Sequence, residues 1–126
     1  MGRVRTDIKV NGKRYWTLFD PGVENTYVRQ EVARLLNPQK LPKVLKSYLG
    51  GRVHKIMHRC WLDAIIKRHW VFVDAYVIEE IGFDKKKKQP YDILFGARAM
   101  QQWGMELNLK KEKVELPYYP EEFTEF

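Results

Sequence analysis

Two apolar runs that end abruptly in turn residues constrain this chain more than any other feature of it. Residues 15–19, Tyr-Trp-Thr-Leu-Phe, run straight into Asp20-Pro21-Gly22, and residues 93–95, Ile-Leu-Phe, run into Gly96. Apolar, aromatic and β-branched runs this short, bounded by Asp, Pro and Gly, read as buried strands and not as helices. The first strand ends on a carboxylate, and the glycine two residues on allows another backbone to come close. A carboxylate projected from a strand end beside such a glycine suits catalysis. Alone, Asp-Pro-Gly is an ordinary β-turn sequence. Only the pairing with the second segment raises the functional reading above the turn.

β signals dominate the rest of the chain. Residues 4–10 alternate apolar and polar, and Asn11-Gly12 is a strong hairpin signal before residues 15–19. Residues 26–28, Thr-Tyr-Val, form a short strand, and residues 30–36 carry Val32, Leu35 and Leu36 at helical spacing until Asn37-Pro38 stops them. Residues 44–66 suggest a long hairpin with its tip near Gly50-Gly51, and residues 70–78 the most apolar strand. Residues 82–90, with the run Lys85 to Lys88, read as a loop. Residues 97–103 form a second short helix stopped by Gly104, and residues 105–109 and 114–116 a last hairpin. The reading is one domain over residues 1–117 and an acidic, aromatic tail over 118–126 without clear structure.

Composition narrows the function classes. The 126 residues are 44% hydrophobic, enough for a single modest core. No apolar run approaches the roughly 18 residues of a membrane span. The single cysteine, Cys60, excludes an intramolecular disulfide framework and fits a reducing, cytoplasmic setting, with no secretory pattern at the N-terminus. The net charge of +7 favours acidic partners, but much of the excess lies in Lys85 to Lys88, a solvated run, so nucleic acid is not the expected partner.

His54, His58 and Cys60 share strand parity and would lie on one face. Three ligands along one strand suit tetrahedral zinc poorly, so they read as strand residues and no metal is expected. Cys60 has no neighbouring motif for nucleophilic chemistry and reads as a buried thiol. Trp16, Trp61, Trp70 and Trp103 read as core and dimer packing and not as base-stacking platforms.

In order and spacing the segments resemble the retropepsin-like aspartic proteases, the single-domain retroviral type. Val10-Asn11-Gly12 and Trp16 to Asp20 look like the family's opening. Residues 93–100 look like its apolar-apolar-Gly strand and helix, and Gly104 to Leu107 like the segment after it. The resemblance covers roughly residues 4–117 and implies a mainly β fold: a closed acid-protease barrel with two short helices, working as a homodimer. It also implies an endopeptidase without a cofactor, in which two aspartates share one proton and activate a water. The chain has one Asp-x-Gly, at Asp20, so two copies must supply the dyad.

On the same resemblance Asp20 is the catalytic residue and Pro21 and Gly22 complete its loop. Leu94, Phe95 and Gly96 form the supporting strand. A flap over residues 47–59, with Tyr48, Gly50 and Gly51 at or near its tip, closes on an extended peptide. Arg98 follows the family's helix pattern and either supports the dimer or is solvated. Pro21 stands where the family has Thr or Ser and supplies neither a hydroxyl nor an N–H. The alternative is a catalytically degenerate dimerisation or peptide-binding module of the same fold.

Overall fold

A computed structural model describes residues 2–121. Strand β1 (Val4–Val10) pairs with β2 (Lys13–Phe19) in unbroken antiparallel register, from Val4 opposite Phe19 to Val10 opposite Lys13. Asn11 and Gly12 turn between them with φ of 51° and 78°, the left-handed backbone that a two-residue hairpin loop demands. Strand β3 (Thr26–Arg29) leads into α1 (Gln30–Ala33). The helix expected through Leu36 is one turn only. Leu35 and Leu36 donate to the carbonyls of Val32 and Ala33, three residues back, and Asn37 leaves at φ 53°. Pro38 bars the helical region to the residue before it, so the last turn tightens and stops.

Strand β4 (Gln39–Leu49) starts five residues before the expected Val44. Gln39 and Lys40 already pair with Arg59 and His58, and the register then shifts before Leu45 meets Ile56. Pro42 lies in the shifted stretch, where it has no N–H to give a ladder. Gly50 and Gly51, with φ of 62° and 77°, form the tip, as the sequence indicates. Strand β5 (Arg52–Ile66) is long enough to serve twice. Its first half pairs with β4 and its second half, Arg59 to Ile66, with β6 (His69–Ile78). From His54 onward the even-numbered residues of β5 turn inward and the odd ones outward, so the parity seen in the sequence is real.

The segment read as a loop contains a small hairpin, β7 (Phe83–Asp84) and β8 (Gln89–Pro90). Asp84 organises it: its Oδ1 accepts the N–H of Lys86 and of Lys87, which turns the lysine run back on itself. Strand β9 (Ile93–Phe95), helix α2 (Ala97–Gln102) and the hairpin of β10 (Glu106–Asn108) with β11 (Lys113–Glu115) follow close to expectation.

The strands run in the order β1-β2-β9-β3-β6-β5, with β4 beyond β5, and Lys9 opposite Ile65 closes β5 onto β1. The result is a mainly β, closed six-stranded barrel, 56% strand and 8% helix. Ile8, Phe19, Leu62, Val71, Ile93 and Phe95 fill it. Burying each such side chain stabilises by about 1.5–3 kcal/mol, which is why short strands of modest propensity suffice.

The tryptophans divide. Trp103 is core and its indole N–H donates to the Phe72 carbonyl, but Trp61 and Trp70 stand exposed on the outer face of β5 and β6. Core packing therefore does not account for those two, because odd positions of β5 and even positions of β6 point out of the barrel. Part of the tail is anchored: Tyr119 stacks on His69 at 4.3 Å between ring centres. Residues 122–126 of the tail lie outside the described residues.

Cys60 is buried, and its thiol is pushed up to about 11, first by burial and then by the nearby Asp74 charge. The native chain is therefore expected to resist alkylation near pH 8 for hours and to react within minutes in denaturant, as followed by mass spectrometry. Fast labelling of the folded chain would contradict this placement.

Candidate active site

The two turn-terminated strands of the sequence lie side by side. β9 is sandwiched between β2 and β3. It runs parallel to β2, with Leu18 opposite Leu94 and Phe19 opposite Phe95, and antiparallel to β3. The Phe19 and Phe95 rings pack 5.0 Å apart beneath the strand ends. Parallel neighbours need a long crossover, so Asp20 and Gly96 meet only because the β4–β5 hairpin and β6 are looped out between them.

Asp20 leaves the end of β2 with its N–H donated to the Phe95 carbonyl at 3.0 Å. Its own Oδ1 accepts the Gly22 N–H at 2.9 Å, and its carbonyl accepts the Val23 N–H at 3.1 Å. The tight turn thus uses the amides of residues 20, 22 and 23 and none from residue 21. Pro21 costs this loop no hydrogen bond within one chain, and its fixed φ suits a turn. The carboxylate is 11% exposed, and Oδ2 pairs with Arg3 Nε at 3.2 Å.

Gly96 and α2 hold the far side of the loop. The Gly96 N–H donates to Thr26 Oγ1 at 3.1 Å, Ala97 N–H to the Val23 carbonyl at 2.7 Å, and Arg98 N–H to the Glu24 carbonyl at 3.1 Å. A side chain at residue 96 would start 2.2 Å from the Asn25 carbonyl oxygen. Glycine is required there for close approach. Arg98 also pairs with the Glu24 carboxylate at 2.7 Å, so its guanidinium reinforces the same loop.

The β4–β5 hairpin lies against this region through its apolar side. Leu49 and Ile56 join Leu18, Tyr27, Ile78 and Leu94 in a second cluster, distinct from the barrel core. Tyr27 Oη and Ser47 Oγ are 2.7 Å apart, tying β4 to β3. Tyr48 is 82% exposed beside the tip. Of the three residues sharing parity on β5, His54 and Cys60 are buried and His58 is half-buried.

Several supporting residues carry no signal in the sequence. Asp92 exchanges backbone hydrogen bonds with Trp16 and Arg29. Its carboxylate accepts the Trp16 N–H at 3.1 Å and the Arg29 guanidinium at 2.8 Å. Arg3, Glu24 and Thr26 are likewise ordinary surface-type residues until the fold brings them to the loop.

Asp84 clamps Trp16 from outside: Oδ2 accepts the indole N–H at 2.8 Å. Burial raises its carboxyl, but the bonds from Trp16, Lys87 and Lys86 and the charge of Arg5 win, leaving it below the ordinary value of 3.8. Its stabilisation is complete above that value and is lost as pH falls through the lower folded one. The Trp16 indole N–H resonance is expected to shift in that acid range and to stay still in Asp84→Asn. A shift that persists in the variant would assign the effect elsewhere.

No family model matches the chain, and no curated protein matches its sequence. Among solved structures it is similar to the retroviral protease-like domain of Ddi1 from Leishmania major, with TM-score 0.66 and 16% identity over 94% of this chain and 90% of that one. At that identity the likeness speaks for the fold alone, and it spans nearly the whole of both chains. The closed barrel, the Asp20 loop and the Gly96 strand together therefore make this chain a retropepsin-like fold.

Proposed function

We propose that the chain is an aspartic endopeptidase that works as a homodimer, with Asp20 from each copy forming the catalytic dyad. The observation that carries this reading is the Asp20 loop: a carboxylate presented at a strand end, accepting the Gly22 N–H and locked from behind by Gly96 and α2. A small chain invests this much hydrogen bonding in one acidic turn when the position of the carboxylate matters. One carboxylate takes a proton from water as its oxygen attacks the scissile carbonyl. The protonated one gives its proton to the carbonyl oxygen; as the C–N bond then breaks, the proton taken from water passes to the departing amine and the hydroxyl proton returns to its carboxylate. No cofactor or covalent intermediate is needed, and Gly22 leaves room for a peptide in extended form.

Dimerisation is a requirement of this reading. Pro21 lines a groove of about 470 Å³ with Met100, Met105, Leu107 and Leu109, an apolar surface beside the Asp20 loop suited to a second copy. Among the described residues no helix is long and apolar enough to cross a membrane. The setting proposed is cytoplasmic.

A second reading, a non-catalytic peptide-binding or dimerisation module, draws on two observations. Pro21 offers no hydroxyl or N–H to a facing loop. Arg3 already sits on Asp20 Oδ2 at 3.2 Å, so this carboxylate has a cationic partner within its own chain. The test is cleavage of a diverse peptide pool across roughly pH 3 to 7, the range of a coupled carboxyl pair, at increasing chain concentration, read by mass spectrometry. Turnover per chain that rises with dimer formation supports the protease. Silence from a chain shown to be folded and dimeric supports the module.

A further inference from the structure

His54 is the one histidine of the chain with a buried ring, 3% exposed, in the first half of β5 where the flap is built. Its two nitrogens face two different acceptors. Nε2 lies 3.1 Å from the Leu49 carbonyl, just before the flap tip. Nδ1 lies 3.6 Å from Glu79 Oε1, beyond the end of β6, and has no hydrogen-bond partner among the described residues.

A neutral imidazole carries one N–H and one lone pair. If Nε2–H donates to Leu49, the Nδ1 lone pair faces a carboxylate; if Nδ1–H turns to Glu79, the bond from the ring to the Leu49 carbonyl is lost. Only the doubly protonated ring satisfies both. The charged groups around it do not replace it. Arg52 lies 4.0 Å from Glu79 and pairs closely with Glu80, so it holds the acidic pair in place. On β4 the residue opposite His54 is the uncharged Ser47, whose hydroxyl is engaged with Tyr27 on β3.

We propose that His54 and Glu79 form a proton-operated latch: the protonated ring ties the flap hairpin to the end of β6, and the neutral ring lets it loosen. This rests on the proposed protease reading, in which the β4–β5 hairpin is the flap. The latch closes in the acidic direction, the same direction in which two facing carboxyls retain their shared proton.

The test is amide hydrogen exchange over residues 45–56 between about pH 8 and pH 5, where imidazoles change charge, corrected to protection factors with unfolded reference peptides. Protection in the native chain is expected to rise about three- to tenfold toward pH 5, the size of a charge-assisted bond to a partly exposed partner. Glu79→Gln should abolish the rise. Glu79 is 64% exposed at its side chain, so its replacement leaves the barrel intact, whereas His54→Gln would alter a buried side chain. A flat native profile, or a rise that survives in Glu79→Gln, overturns the proposal. Repeating the measurement in the Asp20→Asn chain separates the two ideas, because the latch is read there without turnover.

Discussion

Asp20→Asn is expected to lower peptide cleavage by roughly a thousandfold, within the range that general acid–base groups contribute. The substitution is nearly isosteric, and the asparagine Oδ1 can still accept the Gly22 N–H that shapes the turn. It also removes the ion pair with Arg3, whose side chain is 54% exposed; pairs so exposed contribute about 0–1 kcal/mol, so the fold should survive. In a dimer both copies change at once, and two amides facing each other have neither a base for the water nor an acid for the carbonyl. Cuts made at the same sites and similar rates by the variant would remove Asp20 from the chemistry and with it the protease reading. Complete loss in a chain that still dimerises would establish it, and would show that Pro21 is compatible with an assembled dyad.

Gly96→Ala is expected to destabilise the chain by about 3 kcal/mol, at the upper end of what overpacking costs, and to lower the urea midpoint accordingly. The reason is space and not backbone strain, because Gly96 has an ordinary extended φ of −96°. An added Cβ would lie 2.2 Å from the Asn25 carbonyl oxygen and 2.9 Å from that of Glu24. Neither can step aside cheaply. The neighbouring peptides are fixed by Ala97 N–H on Val23 and Arg98 N–H on Glu24, and residue 96 itself donates to Thr26. Any relief must come from moving the Asp20 loop, so stability and cleavage should fall together. A fully stable variant would mean that the loop is softer than this hydrogen bonding indicates.

Much of this architecture was written in local pattern. The shared parity of His54, His58 and Cys60 put them on one face of β5, as found, and Asn11-Gly12 and Gly50-Gly51 marked both long hairpin turns because few other residues adopt positive φ cheaply. Asp20 and Gly96 were legible as strand terminators for the same reason. Where the pattern misled, a neighbour prevailed. Pro38 cut the helix at one turn, and Asp84 folded a run of lysines into a hairpin by accepting two of its amides.

By itself, then, the sequence determined most of the strands, the two long hairpin turns and the two segments on which a site could be built, because these depend on side-chain period and on the conformations open to Gly, Asn and Pro. Tertiary structure alone decided what surrounds the carboxylate. Arg3 on Asp20, Thr26 under Gly96, Asp92 between Trp16 and Arg29, and His54 between Leu49 and Glu79 join residues far apart in the chain or hidden within its turns. Their partners are set by how strands stack around a barrel, and no local spacing carries that information.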